Sequence, residues 1–315
     1  MTTIENATIG DDTVNRTRRD GKRPPWMEKP SALTQVLKFI VLGVSVLLVV
    51  IPFWSVIATS LANQQTINES GGGMVMWPGG GVSLDAYSAV LSGGVVTRAV
   101  VISVTITVVG TLLSLAATAG LAYWLSRPGA PGAKPVLMLV LGAVLFSPGL
   151  IPSYLVVKEF NLLDSFWSLI LPVLVNAFNV IVMRAFFQEL PQELFESAAI
   201  DGASSATVLF KIVLPLSKAV FAVIGLFYAV AYWNAFFNAL LYIQSSEKWP
   251  MALVLRTYVV NQTTIGGDQV ATEALPPQLP LQMAILVIAI VPILLLYPFL
   301  QRHFAKGVMI GAVKG

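Results

Sequence analysis

Charged residues fall in clumps along this chain and leave six long uncharged windows between them, at 39–68, 99–126, 135–157, 165–183, 219–246 and 274–301. A membrane-spanning helix needs about 20 apolar residues, so each window can hold one, and the 165–183 window is just long enough. Backbone groups in lipid must bond within their own segment, which makes helices the default, and no strand-length alternation repeats along the chain as a barrel would require. The pattern therefore predicts an all-α polytopic membrane protein with six transmembrane helices. Pro148 and Pro152 interrupt the outer half of the third window. A broken ladder survives in lipid only where protein or a water-filled cavity satisfies the freed groups, so this half is expected to face the bundle interior.

The segments between windows differ in kind. The turn Arg127-Pro128-Gly129-Ala130-Pro131-Gly132-Ala133-Lys134 ties the second and third spans together as close neighbours. Residues 62–97 carry Gly71-Gly72-Gly73 and Pro78-Gly79-Gly80-Gly81 and predict a flexible surface loop. Residues 244–280, with Gly266-Gly267-Asp268 and Pro276-Pro277, predict a second long loop on the same side, a candidate contact for an extracytoplasmic partner.

The placement of positive charge sets the orientation. With the N-terminus inside, fifteen of the 19 Lys and Arg lie in cytoplasmic segments, and only Arg98, Lys158, Lys248 and Arg256 lie outside. Both termini and the 188–218 loop are thereby expected in the cytoplasm, and the protein in the cytoplasmic membrane with lipid as its surroundings. The net charge of +3 comes from this asymmetry and is no signal for nucleic acid. The polar first residues, with Pro24-Pro25, predict a flexible cytoplasmic tail over 1–34 ahead of a transmembrane domain over 35–315. The apolar run after Lys38 is too long for the core of a cleaved signal peptide.

Few residues offer reaction chemistry. There are no cysteines and the one histidine, His303, has no neighbouring carboxylate or second His, which leaves no metal site. The absence of Asp and Glu from the six windows removes the usual relay residues of ion-coupled carriers. No phosphate-binding Gly-x-x-x-x-Gly-Lys-[Ser/Thr] loop occurs, so the chain cannot cradle ATP itself. Polar groups within the windows are mostly amides. Asn176 and Asn179 lie three apart, Asn234 and Asn238 four apart, and helical spacing would put each pair on one face. Tyr232, Trp233, Phe236, Phe237 and Tyr242 surround the second pair. Amides among aromatic faces could line a path for sugar rings, although such amides more commonly join helices to one another. Gly110, Ser114 and Thr118, at spacing four, predict close helix packing.

The cytoplasmic loop holds the most specific pattern. Pro191 suits a first helical turn, Gln192 to Ile200 are good helix formers, and Asp201-Gly202 stops them, Gly202 being able to take a left-handed cap. Ser204 or Ser205 can cap a second short helix, expected to end near Leu214 because the residue before Pro215 is pushed out of the helical region. The product is a compact elbow over 192–214 whose small residues leave room for another protein to close on it. Its spacing, Glu196-Ser197-Ala198, three residues, Gly202, nine residues, then Ile212-Val213-Leu214-Pro215, resembles the cytoplasmic coupling loop of ABC importer permeases, with Ser197 in place of the first Ala of the Glu-Ala-Ala word.

The resemblance extends over roughly residues 35–315. Ile151-Pro152-Ser153-Tyr154, Leu162-Leu163-Asp164-Ser165, Leu171-Pro172 and Trp233-Asn234-Ala235-Phe236-Phe237 are similar to words of the carbohydrate permeases of the maltose-transporter inner-membrane family. The segments Tyr297–Gln301 and Lys306–Gly315 look like a subgroup linked to complex oligosaccharides and polysaccharide fragments. The likeness implies a type I importer permease fold. It also implies a second permease to form a heterodimer, two ATPase subunits that bind the ATP, and an extracytoplasmic solute-binding protein that delivers a sugar, an oligosaccharide in that subgroup. Contact with the ATPase would fall to Glu196, Ser197, Ala198, Asp201, Gly202, Ile212, Leu214 and Pro215; Asn176, Asn179, Tyr232, Trp233, Asn234 and Asn238 are the pathway candidates. Such a subunit is not an enzyme and makes or breaks no covalent bond. Leu91-Ser92-Gly93-Gly94 imitates an ATPase signature word, but it falls on the outer side without companion motifs. An importer for a non-sugar solute, or a channel or scaffold without an ATPase, are the alternative readings.

Overall fold

The computed structural model describes residues 32–92, 94–146, 148–260 and 278–312, and side chains up to residue 259 and over 278–295. Fifteen α-helical segments follow one another, with no strand among the described residues: α1 Ala32–Ser60, α2 Gln64–Glu69, α3 Asp85–Leu91, α4 Val95–Ser126, α5 Ala133–Leu145, α6 Leu150–Glu159, α7 Trp167–Ile170, α8 Ala177–Gln188, α9 Gln192–Ile200, α10 Ser205–Val208, α11 Leu214–Leu216, α12 Lys218–Trp233, α13 Phe236–Tyr242, α14 Met251–Leu255 and α15 Gln278–Ala312. Two compact units divide the chain, one through Ile51 and one from Pro52. The described part of the first is helix, exposed at every residue. The 1–34 tail lies almost wholly outside the described residues, α1 beginning at Ala32.

All six uncharged windows hold helix, but only α1, α4 and α15 run unbroken at spanning length and hydropathy. The third window is divided: α5 ends at Leu145, Gly149 takes a φ of 80°, and α6 restarts at Leu150. The fourth splits into α7 with a 3-10 turn at Leu171–Val173, then α8, bent by 52°. The fifth breaks at Asn234 between α12 and α13. The outer half of the third span meets the interior of this chain through Val157 and half-buried Tyr154. Within this chain α6 buries only Val157, while Ile151, Pro152, Leu155 and Val156 are exposed.

The core of the second unit is built on α4, whose 32 residues make a rod of about 48 Å at 1.5 Å per residue. It packs against α12 and α8. Gly110, Ser114 and Thr118 form the seam, as their spacing predicts, and two tyrosines of α12 fill it. Ser114 Oγ lies 2.8 Å from Tyr232 Oη and Thr118 Oγ1 lies 2.7 Å from Tyr228 Oη. Tyr228 Oη also accepts the amide N–H of Asn176 at 2.9 Å, which satisfies the backbone where the fourth span is broken, as a break in lipid requires.

The first of the two predicted loops is structured, and so is the described part of the second. Over 62–97, α2 and α3 form, Ile67 and Val75 are buried, and Trp54 Nε1 donates to the Met76 carbonyl at 2.8 Å. Thr66 and Asn63 hold the carbonyls of Gly79 and Gly80, which anchors the Gly run. Residues 244–260 form α14 and flanking turns, with Met251 and Val254 buried and Met251 N–H donating to Ser103 Oγ of α4 at 2.7 Å. The remaining 261–277 of that predicted loop lies outside the described residues.

Asp164 ties the turn before α7 to the segment after α13. It sits in the left-handed region with a φ of 55°, and its Oδ1 accepts the amides of Gln244 and Ser245 at 3.1 and 2.9 Å. Its Oδ2 accepts Ser245 Oγ and Lys248 Nζ, each at 2.7 Å. These donors, Lys248 first, hold its carboxyl well below the usual carboxylate range.

Candidate functional site

The elbow forms as its residues dictate. Pro191 precedes α9 with a φ of −55° and leaves no amide to satisfy. At the far end Asp201 caps the helix and Gly202 turns left-handed at a φ of 70°. Ala203 N–H then reaches the Ala198 carbonyl at 2.9 Å and Gly202 N–H the Ala199 carbonyl at 3.1 Å, the paired bonds of a Schellman cap. Ser204 caps α10, its Oγ accepting the Thr207 amide at 3.2 Å. A Cβ at residue 202 would meet nothing within 4 Å, so glycine is needed for its backbone angle and not for room within this chain.

The second arm does not end at Leu214. Leu209–Val213 form a π turn in which Leu214 N–H donates to the Leu209 carbonyl, and α11 carries the chain through Pro215 to Leu216. A proline ring clashes with the carbonyl four residues back in a regular helix, and the wider π turn relieves that clash. Ser217 ends the arm, and α12 leaves at 86° to it.

Of the elbow candidates, Glu196, Ser197, Asp201, Gly202 and Pro215 are exposed, Ile212 and Leu214 are half-buried, and Ala198 is buried beneath them. Ile200 and Phe210 stand 87% and 66% exposed on the same elbow, large apolar groups that spacing did not single out. Sequence reasoning also missed Arg127. Its guanidinium lies 4.5 Å from the centroid of Phe195 in α9 and 4.9 Å from that of Tyr123 in α4. A cleft of about 360 Å³ runs beside it, lined by Arg127, Gln188, Phe195 and Glu196.

The amide candidates are not arranged as spacing predicts. Asn176 is the extended cap of α8, its side chain accepting the Asn179 amide at 3.1 Å, so it is exposed while Asn179 is buried. Asn234 and Asn238 stand on either side of the α12–α13 break and share no continuous helix face. Asn234 Nδ2 donates to the Val230 carbonyl of its own helix at 2.9 Å, which makes it a helix end cap and not a bond between helices. Tyr232 is buried in the α4 seam. Trp233 donates Nε1 to the Ala289 carbonyl of α15 at 3.0 Å and borders an apolar groove of about 480 Å³ between α4, α12 and α15. The spacing argument assumes one uninterrupted helix, and both pairs straddle an interruption.

The family described as binding-protein-dependent transport system inner membrane component matches residues 133–310, more than half of the chain and all of the elbow. The chain belongs to that family. It is a multi-pass permease subunit of an ATP-binding-cassette importer and not an enzyme. The permease is 44% identical over 271 residues to the polygalacturonan/rhamnogalacturonan transport system permease protein YtcP of Bacillus subtilis (strain 168), covering 85% of this chain and 94% of that protein. It is 45% identical over 289 residues to Protein LplC of the same organism, covering 91% and 97%. Its fold is similar to a chain in the crystal structure of a bacterial ABC transporter involved in the import of the acidic polysaccharide alginate, with a TM-score of 0.80, 26% identity, and 89% of this chain and 100% of that one covered.

Proposed function

We propose that this permease pairs with a second, related permease to pass an oligosaccharide into the cytoplasm, with two ATPase subunits below and a solute-binding protein outside. The observation that carries the reading is the elbow. Two short helices meet at a left-handed Gly202, with an exposed carboxylate at Glu196 and exposed apolar groups at Ile200 and Phe210, a shape suited to a groove in another protein. The positive charge distribution supports a cytoplasmic elbow and cytoplasmic termini. ATP would bind to the separate subunits, and their closure would displace the elbow and rock the spans between inward- and outward-facing states.

An oligosaccharide is favoured over other solutes because relatives matched across nearly their whole length carry polygalacturonan/rhamnogalacturonan and alginate in their descriptions. Exposed Asn176 and Asn234, with partly buried Asn238 beside aromatic residues, are the amides left to meet such a solute. The outer segment 244–280 is the proposed contact for the binding protein. The test is uptake of labelled acidic and neutral oligosaccharides into vesicles holding the full assembly. Saturable, ATP-dependent uptake of an oligosaccharide supports the reading. Uptake of only a non-sugar solute, or flux without ATP, replaces it with one of the alternatives.

A further inference from the structure

A cavity of about 480 Å³ lies where α4, the 126–132 turn, α5 and α8 meet, and three cations line it: Arg127, Lys134 and Arg184. No carboxylate lines it, and the one ion pair among the described residues, Lys248 with Asp164, lies elsewhere. The three charges are held in different ways. Arg184 donates its Nε to the Leu125 carbonyl at 3.0 Å, and Arg127 lies on the rings of Tyr123 and Phe195. Lys134 is exposed, in the first turn of α5. Three like charges around one hollow repel one another unless an anion fills it.

The position of the hollow says which anion. It sits at the ends of α4 and α8, where apolar helix gives way to a Pro/Gly turn, the level of a membrane's headgroups. Lys134, Met138, Leu141 and Leu145 follow one another at helical spacing along a single stripe of α5. Met138, Leu141 and Leu145 are 70%, 44% and 77% exposed. A charged hollow thus opens onto a strip of bare apolar surface.

We propose that this hollow is a binding site for the headgroup of an anionic phospholipid, whose phosphate sits among Arg127, Lys134 and Arg184 and whose acyl chain lies along the Met138–Leu145 stripe. A soluble phosphate would use the charges but leave the stripe bare; a zwitterionic lipid would cover the stripe but bring its own positive charge to the hollow. Each Lys or Arg near an anionic membrane surface contributes about 1 kcal/mol, or roughly fivefold in affinity. Because Arg127 also stacks on Phe195 of α9, the lipid would bear on the elbow.

The test uses the full chain, purified with its partner subunits in neutral detergent and titrated with phosphatidylglycerol, phosphatidylcholine or inorganic phosphate. Lipid retention is read by native mass spectrometry and stability by thermal melting. Phosphatidylglycerol alone is expected to be retained and to raise the melting temperature. Lys134→Gln should weaken its binding about fivefold and Lys134→Arg should restore it, Lys134 being the member with no structural contact to lose. Equal retention of phosphatidylcholine, full protection by inorganic phosphate alone, or unchanged phosphatidylglycerol binding in Lys134→Gln would each overturn the proposal. So would loss of the ATPase subunits from Lys134→Gln with lipid retention unchanged, which would assign the hollow to that partner.

Discussion

Tyr232 fits against α4 because residue 110 has no side chain: a Cβ on Gly110 would come within 2.8 Å of the Tyr232 ring. The contact is with the hydroxyl-bearing end of a buried ring, and that hydroxyl is anchored to Ser114, so the ring cannot swing away cheaply. Gly110→Ala should therefore destabilise the bundle by about 1–3 kcal/mol, the usual range for overpacking. Tyr232→Phe, which loses the Ser114 contact and a longer bond of 3.4 Å to the Ile170 carbonyl, should cost about 1 kcal/mol, at about 0.6 kcal/mol for each bond within the membrane. Adding Tyr232→Leu to Gly110→Ala should recover part of the loss, whereas adding Tyr232→Phe should not. Thermal melting of the four variants in detergent checks this; a Gly110→Ala protein that melts like the parent would refute the contact.

Tyr228 should matter more than Tyr232. Its hydroxyl accepts the Asn176 amide at the broken fourth span as well as meeting Thr118. Tyr228→Phe leaves a backbone N–H without a partner, a loss of about 1–3 kcal/mol. Comparing the melting of Tyr228→Phe with that of Tyr232→Phe gives the order directly, and the reverse order would show that the break finds another donor-acceptor arrangement.

Gly202 separates two demands on the elbow. Its left-handed φ makes Gly202→Ala cost about 1 kcal/mol, whereas asparagine tolerates that region and Gly202→Asn should be nearly neutral for the isolated chain. If an ATPase groove closes on the bare elbow, however, both substitutions and Glu196→Lys should reduce retention of that subunit and uncouple ATP hydrolysis from uptake. Co-purification with sugar-stimulated hydrolysis is the measurement. Normal values for all three variants would remove the elbow's assigned role.

The Asp164 staple should be insensitive to pH over the physiological range. Its carboxyl is held below the usual carboxylate range in the folded chain, so its contribution is complete above about pH 4, the ordinary value, and is lost only as pH falls through the lower folded value. Asp164→Asn should lower the melting temperature at pH 7 and by the same amount at pH 5. An Asp164→Asn protein that melts like the parent at both pH values would mean that the Lys248 contact is weak.

The elbow was the most legible part of the chain because its signals are local: a proline start, a glycine cap and a serine cap act within one or two turns. The uncharged windows located helix for the same reason. Their interruptions were harder to see. Nothing in the hydropathy of 165–183 shows that Asn176 leaves the helix, because the amide that it frees is satisfied by Tyr228, 52 residues away. The amide pairs failed with the helices that were meant to carry them. Pro215 misled in the opposite sense, since a π turn absorbed the clash that normally ends a helix. The Gly-rich 62–97 loop is ordered by Thr59, Asn63 and Thr66, which themselves lie outside the Gly runs.

The stack of Arg127 between Tyr123 and Phe195 joins two bodies of unequal length. One is the nine-residue α9, and the other is the 32-residue α4, which traverses the core. A push on the short arm therefore has two outcomes. Either the rings part and the push dissipates at the surface, or the near end of α4 moves with it. In the second case a small displacement at the elbow becomes a tilt of a rod about 48 Å long, whose far end reaches the opposite face of the membrane.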